Sequence, residues 1–334
     1  MKNMNKIIYI FILFFVILAT LNSCAKKSEE KSNSSSPQLF NAVGFSGTTL
    51  NSKDGINWET STWNSLNYGP SKNLSGVTYG KSTYLAVGWH STIIASSDGN
   101  NWNDSSEGDL WRKCGELNCK DKVQLSKAKY ANDNFVVVGI NGIILSSQDG
   151  TTWTKRNSGV GDYLSDVTYG KDKFVVVGNR TVLTSSDLNS WTQRVNVSDW
   201  ERVTPPSNFL SAVNFGNNIF VVVGWSGRIL TSHDGIQWTE RSSGTSNNLK
   251  DVIFENGSFL VVGNSGTMLS SKDGISWVKR SSGTSKTLNG AAYGNNIYVI
   301  VGDFGTILTS PDGITWTERD SGKSNYLSGV TFSR

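Results

Sequence analysis

The chain has 334 residues, 37% of them hydrophobic and 17% charged, with 31 basic side chains against 27 acidic ones. So even a balance leaves no electrostatic footprint for nucleic acid. With only His90 and His233 present, a Ser/His/Asp triad has little support.

The N-terminus comes first. Lys2 and Lys6 precede an apolar run from Ile7 to Leu21, 15 residues long. That is the layout of a secretory signal peptide, and the run is short of the roughly 20 residues a spanning helix needs. It ends in Leu21-Asn22-Ser23-Cys24, which resembles the bacterial lipobox. The resemblance implies cleavage before Cys24 and acylation of its sulfur and its new amine. Residues 1–23 are therefore expected to be a signal peptide. Residues 24–37, rich in Ser, Lys and Glu and without a large apolar side chain, are expected to be a flexible tether. The expected location is the bacterial cell envelope, at the outer membrane or cell surface, with the lipid as the membrane contact. Removing Lys2 and Lys6 leaves 29 basic and 27 acidic residues.

From residue 38 to 334 the sequence repeats itself. One unit reads Leu249-Lys250-Asp251-Val252-Ile253-Phe254, then Phe259-Leu260-Val261-Val262-Gly263, then Met268-Leu269-Ser270, then Ser271-Lys272-Asp273-Gly274-Ile275-Ser276-Trp277. The marker tryptophans are Trp58, Trp102, Trp153, Trp191, Trp238, Trp277 and Trp316, spaced 44, 51, 38, 47, 39 and 39 residues apart. A base period near 39 with two insertions fits one propeller blade per repeat. Each unit supplies four short runs, here called strands a to d. Strand a is Leu-x-x-Val/Ala-x-aromatic, strand b is Val-Val-Val-Gly, strand c is Ile-Leu-x-Ser, and strand d is expected to start at the marker Trp. The continuous β-branched run of strand b suits a strand covered on both faces. The first unit begins at strand b. The chain ends on a lone strand a, Tyr326 to Phe332. The expected fold is an all-β, seven-bladed propeller of four-stranded blades, closed by pairing the C-terminal strand with the N-terminal blade.

The turn between strands c and d reads Ser-x-Asp-Gly-x-x-Trp. Its aspartates are Asp54, Asp98, Asp149, Asp187, Asp234, Asp273 and Asp312; the copy at Asp187 has Leu188 in place of Gly. These boxes resemble the Asp box of sialidase-like propellers, also found in the photosystem II stability and assembly factor family. The common form of the box has one more residue between Asp and Trp. Seven copies cannot all be active sites, so the box aspartates are read as folding elements whose carboxylates accept backbone N–H groups.

The sialidase resemblance implies an arginine cluster, a Tyr nucleophile with a Glu partner and an Asp acid/base. Arg156, Arg194, Arg241, Arg280 and Arg319 recur at one repeat position, which argues for a framework role. Asp109, Asp199, Glu201 and Asp303 are carboxylates that a fold could still bring together. Gly44-Phe45-Ser46-Gly47 and Gly224-Trp225-Ser226-Gly227 read as turns, lacking the second Gly of a nucleophile elbow. No phosphate-binding loop occurs. Cys114 and Cys119 are expected to pair as a disulfide in an oxidising compartment; a metal site would need more ligands than two thiols. No metal and no cofactor are expected.

Five tryptophans lie outside the boxes. Trp63, Trp111 and Trp200 fall in d–a connections, and Trp89 and Trp225 in b–c turns. Those loops share one face of a propeller, along with Phe45, His90, Arg180, Asp303, Phe304 and both insertions. Aromatic side chains concentrate in binding hot spots. The candidate binding face is Trp63, Trp89, His90, Trp111, Arg180, Trp200, Trp225, Asp303 and Phe304. The function expected is that of a monomeric, lipid-anchored, non-catalytic binding or assembly protein presenting this face to a protein or glycan. The alternative is a sialidase-like glycoside hydrolase.

Overall fold

The computed structural model describes residues 38–63, 72–106, 123–194 and 208–333. The segments expected to be a signal peptide and a tether lie outside the described residues, as do Cys24, Cys114, Cys119, Trp111 and Trp200. Asp109, Asp199 and Glu201 do too.

Seven sheets follow one another along the chain, each built on four antiparallel strands. Blade 6 shows the pattern: strand a Leu249–Glu255, b Ser258–Gly263, c Met268–Ser271 and d Val278–Arg280. Blade 1 is assembled from both ends of the chain. Its strand a is Leu327–Phe332, paired with strand b Phe40–Gly44 in the register Phe40 to Phe332, Ala42 to Val330 and Gly44 to Leu327. Ser333 extends the seam: its N–H donates to Leu39 O at 3.1 Å, and its hydroxyl accepts from Leu39 N–H at 2.8 Å. The expected closure is what the structure shows.

The core is divided among the blade interfaces. Seven apolar clusters each mix residues of adjacent blades; Phe40, Ala42, Ala292, Val299, Val301 and Leu327, for example, join blades 1 and 7. From its second residue onward strand b is buried in every blade, as its β-branched composition demands. The aromatic near the end of each strand a packs on an aromatic of strand b, with centroids 4.6 Å apart for Tyr79 and Tyr84 and 4.7 Å for Phe254 and Phe259. The same rings lie over glycines of the preceding blade. A Cβ on Gly80 would collide with Tyr130, and one on Gly216 with Phe254.

Two details differ from expectation. Strand d starts one residue after the marker Trp in six blades, as at Val278, and in three of them, at Trp58, Trp191 and Trp277, the indole N–H bonds back to the turn. Trp277 Nε1 donates to Gly274 O at 3.2 Å and closes the box. Only in blade 2 does strand d, Asn101–Asp104, include its Trp. Blade 2 also gains a fifth strand. Thr62–Trp63 runs parallel to Asn101 and Trp102 at its outer edge.

Each box Asp does the folding work expected of it. Asp273 Oδ1 accepts the N–H groups of Ile275 and Ser276 at 2.8 Å, while the Ser271 hydroxyl donates to it and accepts from Gly274 N–H. The Ser276 and Ile275 amides hold the Asp273 carboxyl at about 2. At Asp54 burial pushes the other way, but the Asn57 and Ile56 amides outweigh it, again leaving a value of about 2. The repeated arginines are framework too: Arg156, Arg194, Arg241, Arg280 and Arg319 each donate through Nε to a strand-c hydroxyl at 2.7–2.9 Å.

Candidate binding face

The two faces of the ring are separated by hydrogen bonds. On one, a–b turns reach the boxes of the next blade, as where Asn217 Nδ2 donates to Lys272 O and Asn295 Nδ2 to Lys53 O. On the other, every b–c turn is tied to the residue just before strand a of its own blade. The N–H groups of Phe45, Trp89, Ile140, Asn179, Trp225, Asn264 and Asp303 donate to the carbonyls of Tyr326, Asn73, Gln124, Tyr163, Phe209, Asn248 and Thr287 at 2.8–3.0 Å. The last residue of strand b is Gly in all seven blades because that carbonyl occupies the place of its Cβ; at Gly44 the carbonyl is Tyr326 O.

This tie sets two side chains side by side in each blade, and the sequence fills several of the pairs with aromatics. Phe45 and Tyr326 meet at 5.4 Å between centroids, Phe45 reaches Trp89 at 6.1 Å, and Tyr326 reaches Phe304 at 5.4 Å. The four rings form a ridge across blades 7, 1 and 2. They are 36–59% exposed and are the four aromatic members of the exposed large apolar set among the described residues. Each of the four touches at least one of the others.

The predicted residues divide on inspection. Trp89, His90 and Phe304 are exposed on this face, and Asp303 is half-buried beside Phe304, where Asn289 Nδ2 donates to its Oδ1 at 2.8 Å. Burial pulls the Lys250 ammonium below its usual range, and the Asp303 carboxylate opposes that shift. Arg180 is exposed on blade 4, with its N–H tied to Asn208 O. Trp225 is half-buried against Phe209 at 5.1 Å, and Phe209 in turn meets Tyr163 at 5.5 Å. Trp63 packs into the blade 1–2 core beneath Gly47, where it fills space. Tyr326, Phe209 and Tyr163 were not marked by sequence as members of this face.

The central channel holds a cavity of about 680 Å³ opening toward the box face. Its walls include Lys127, Lys129, Asp166, Asp251 and Glu255 among the strand-a aromatics, and no arginine among the described residues. Among the described residues no His/Cys/Asp/Glu group is arranged to hold a metal.

Comparison with known proteins agrees with this architecture. The DUF6242 beta propeller domain matches residues 206–328, less than half of the chain. No curated protein matches. Among solved structures, YCF48 bound to a D1 peptide is similar with a TM-score of 0.63 and 16% identity, over 84% of this chain and 89% of that one. YCF48 from Cyanidioschyzon merolae is similar with a TM-score of 0.59 and 16% identity, over 76% of this chain and 86% of that one. At that identity the likeness is one of fold.

Proposed function

We propose, taking the likeness to a propeller captured with a peptide as the premise, that this chain is a non-catalytic binding or assembly factor for a protein partner. The partner sits on the face of the b–c turns. The observation that carries the reading is the ridge Phe304, Tyr326, Phe45 and Trp89: four exposed rings in mutual contact. Contiguous exposed apolar surface of this kind marks an interaction site, and aromatic residues dominate interface hot spots. YCF48 bound to D1 peptide supports a protein rather than a glycan as the occupant. The lipobox-like sequence at Leu21 to Cys24 supports a lipid anchor and, with it, a location in the bacterial envelope.

The test is site-specific photocrosslinking in the tethered protein, with a benzophenone side chain at Phe45 or Trp89. A discrete protein adduct from both positions, missing from a control at Ile314 on the box face, is the expected result. Adducts to lipid or glycan alone, or the same adducts from Ile314, would overturn the reading.

A further inference from the structure

We infer that the ridge takes an extended apolar peptide segment, and that Phe304 is its specificity-determining contact, retained for binding against the preference of the fold. This rests on the reading of the face as protein-binding.

Phe304 stands at the second position of its b–c turn with φ 56°, in the left-handed region. The equivalent residues of the other blades are Ser46, His90, Asn141, Arg180, Ser226 and Ser265, all between 53° and 57°. Left-handed backbone suits Gly, Asn and Asp; a bulky residue there is strained and worth a functional explanation. Packing does not supply one. Phe304 is 59% exposed, the most exposed large apolar side chain among the described residues. Its ring partner among the described residues is Tyr326. A residue that suits neither its dihedral angle nor its burial is explained by a surface it meets elsewhere.

The spacing of the rings points to what that surface is. Successive centroids along the ridge lie 5.4, 5.4 and 6.1 Å apart. Alternate side chains of an extended strand repeat every ~6.6 Å. Side chains of such a segment can enter the notches between neighbouring rings. The rings are tilted against one another by 41–58°, so each covers part of the next and no flat platform remains for a sugar ring.

A random-peptide display library panned on the full-length protein tests this. Enriched peptides are expected to alternate apolar residues. Phe304→Asn is expected to weaken them thirtyfold or more, as loss of a hot-spot ring does. It should leave the melting temperature equal or raise it by ~1–2 °C, since Asn accepts the left-handed backbone. Phe304→Tyr, which keeps the ring, should retain binding, and Ile314→Asn should change nothing. A fall in melting temperature for Phe304→Asn would show that the ring serves the fold. Peptides that ignore Phe304→Asn but are lost with Phe45→Ser would overturn the role of Phe304 and leave the protein-binding face standing. Neutral oligosaccharides bound through the ridge in place of peptides, or no ridge-dependent binding at all, would overturn both.

Discussion

Lys127 Nζ of blade 3 lies 3.5 Å from Asp251 Oδ1 of blade 6, so one ion pair spans the central channel. The carboxylates around it are seated on neighbouring blades: Asp251 Oδ2 accepts Ala291 N–H, and Asp166 Oδ2 accepts Val213 N–H, both at 3.0 Å. Burial alone would lower the Lys127 pKa, but the Asp251 and Asp166 charges outweigh it and raise it.

Removing the ammonium should therefore cost more than an exposed ion pair would. Lys127→Met leaves two poorly hydrated carboxylates facing one another and should lower stability by about 2 kcal/mol at neutral pH in urea unfolding. The double variant Lys127→Met, Asp251→Leu should recover part of that loss. Additive losses would show that the pair is not coupled.

The boxes predict acid sensitivity. Asp54, Asp98 and Asp273 have folded pKa values of about 2, below the usual range for Asp. A depressed folded pKa gives stability that is present above the unfolded pKa, near 4, and is lost as pH falls toward 2. Thermal melts between pH 5 and 2 should show this loss. Asp273→Asn, which gives up the charge-assisted bonds to Ile275 and Ser276, should cost about 1 kcal/mol at pH 7 and flatten the acid slope.

Ring closure predicts a large effect from a small deletion. Without Tyr326 to Arg334, strand b Phe40–Gly44 loses its inner partner and the blade 7–1 core loses Leu327 and Val330. The truncated protein should melt well below the parent and aggregate from its open edges. A melting temperature equal to the parent's would contradict the pairing.

Trp89 and Trp225 occupy the same turn position but should respond differently. Trp89 is 38% exposed, so Trp89→Ala should leave the melting temperature nearly unchanged while weakening partner binding. Trp225 is packed on Phe209, and Trp225→Ala should lower stability by about 1 kcal/mol. Paired melting and affinity measurements separate the two.

The lipobox reading predicts that Cys24→Ser releases the protein from membranes or blocks its processing, since each buried methylene of an acyl chain contributes about 0.8 kcal/mol. A variant that fractionates and matures like the parent would refute it.

The blades were readable because each of their parts recurs. The marker Trp, the Val-rich strand b and the Leu at the start of strand a repeat at a steady offset, and that is enough to count the blades and foresee the closing strand. The face was only half readable. Trp89 and Phe304 stand in turns that align by their glycines. Tyr326, Phe209 and Tyr163 stand where other blades have Asn73, Gln124, Asn248 and Thr287, so no shared residue type flags the position. Its place beside the b–c turn is created by a backbone hydrogen bond. Trp63 misled for the converse reason. Its d–a connection belongs to the same face, but the two-residue parallel strand turns the indole into the core.

The closing strand has a consequence for when the protein can act. Ribosomes deliver the Phe45 and Trp89 end of the ridge before the Phe304 and Tyr326 end, more than 200 residues apart in the chain. Until strand Leu327–Phe332 docks on Phe40–Gly44, the two halves of the ridge are on separate stretches of an unfinished chain. A chain whose closing strand has not docked thus presents no assembled ridge, and under the proposed reading of the face partner capture would wait for the ring to close.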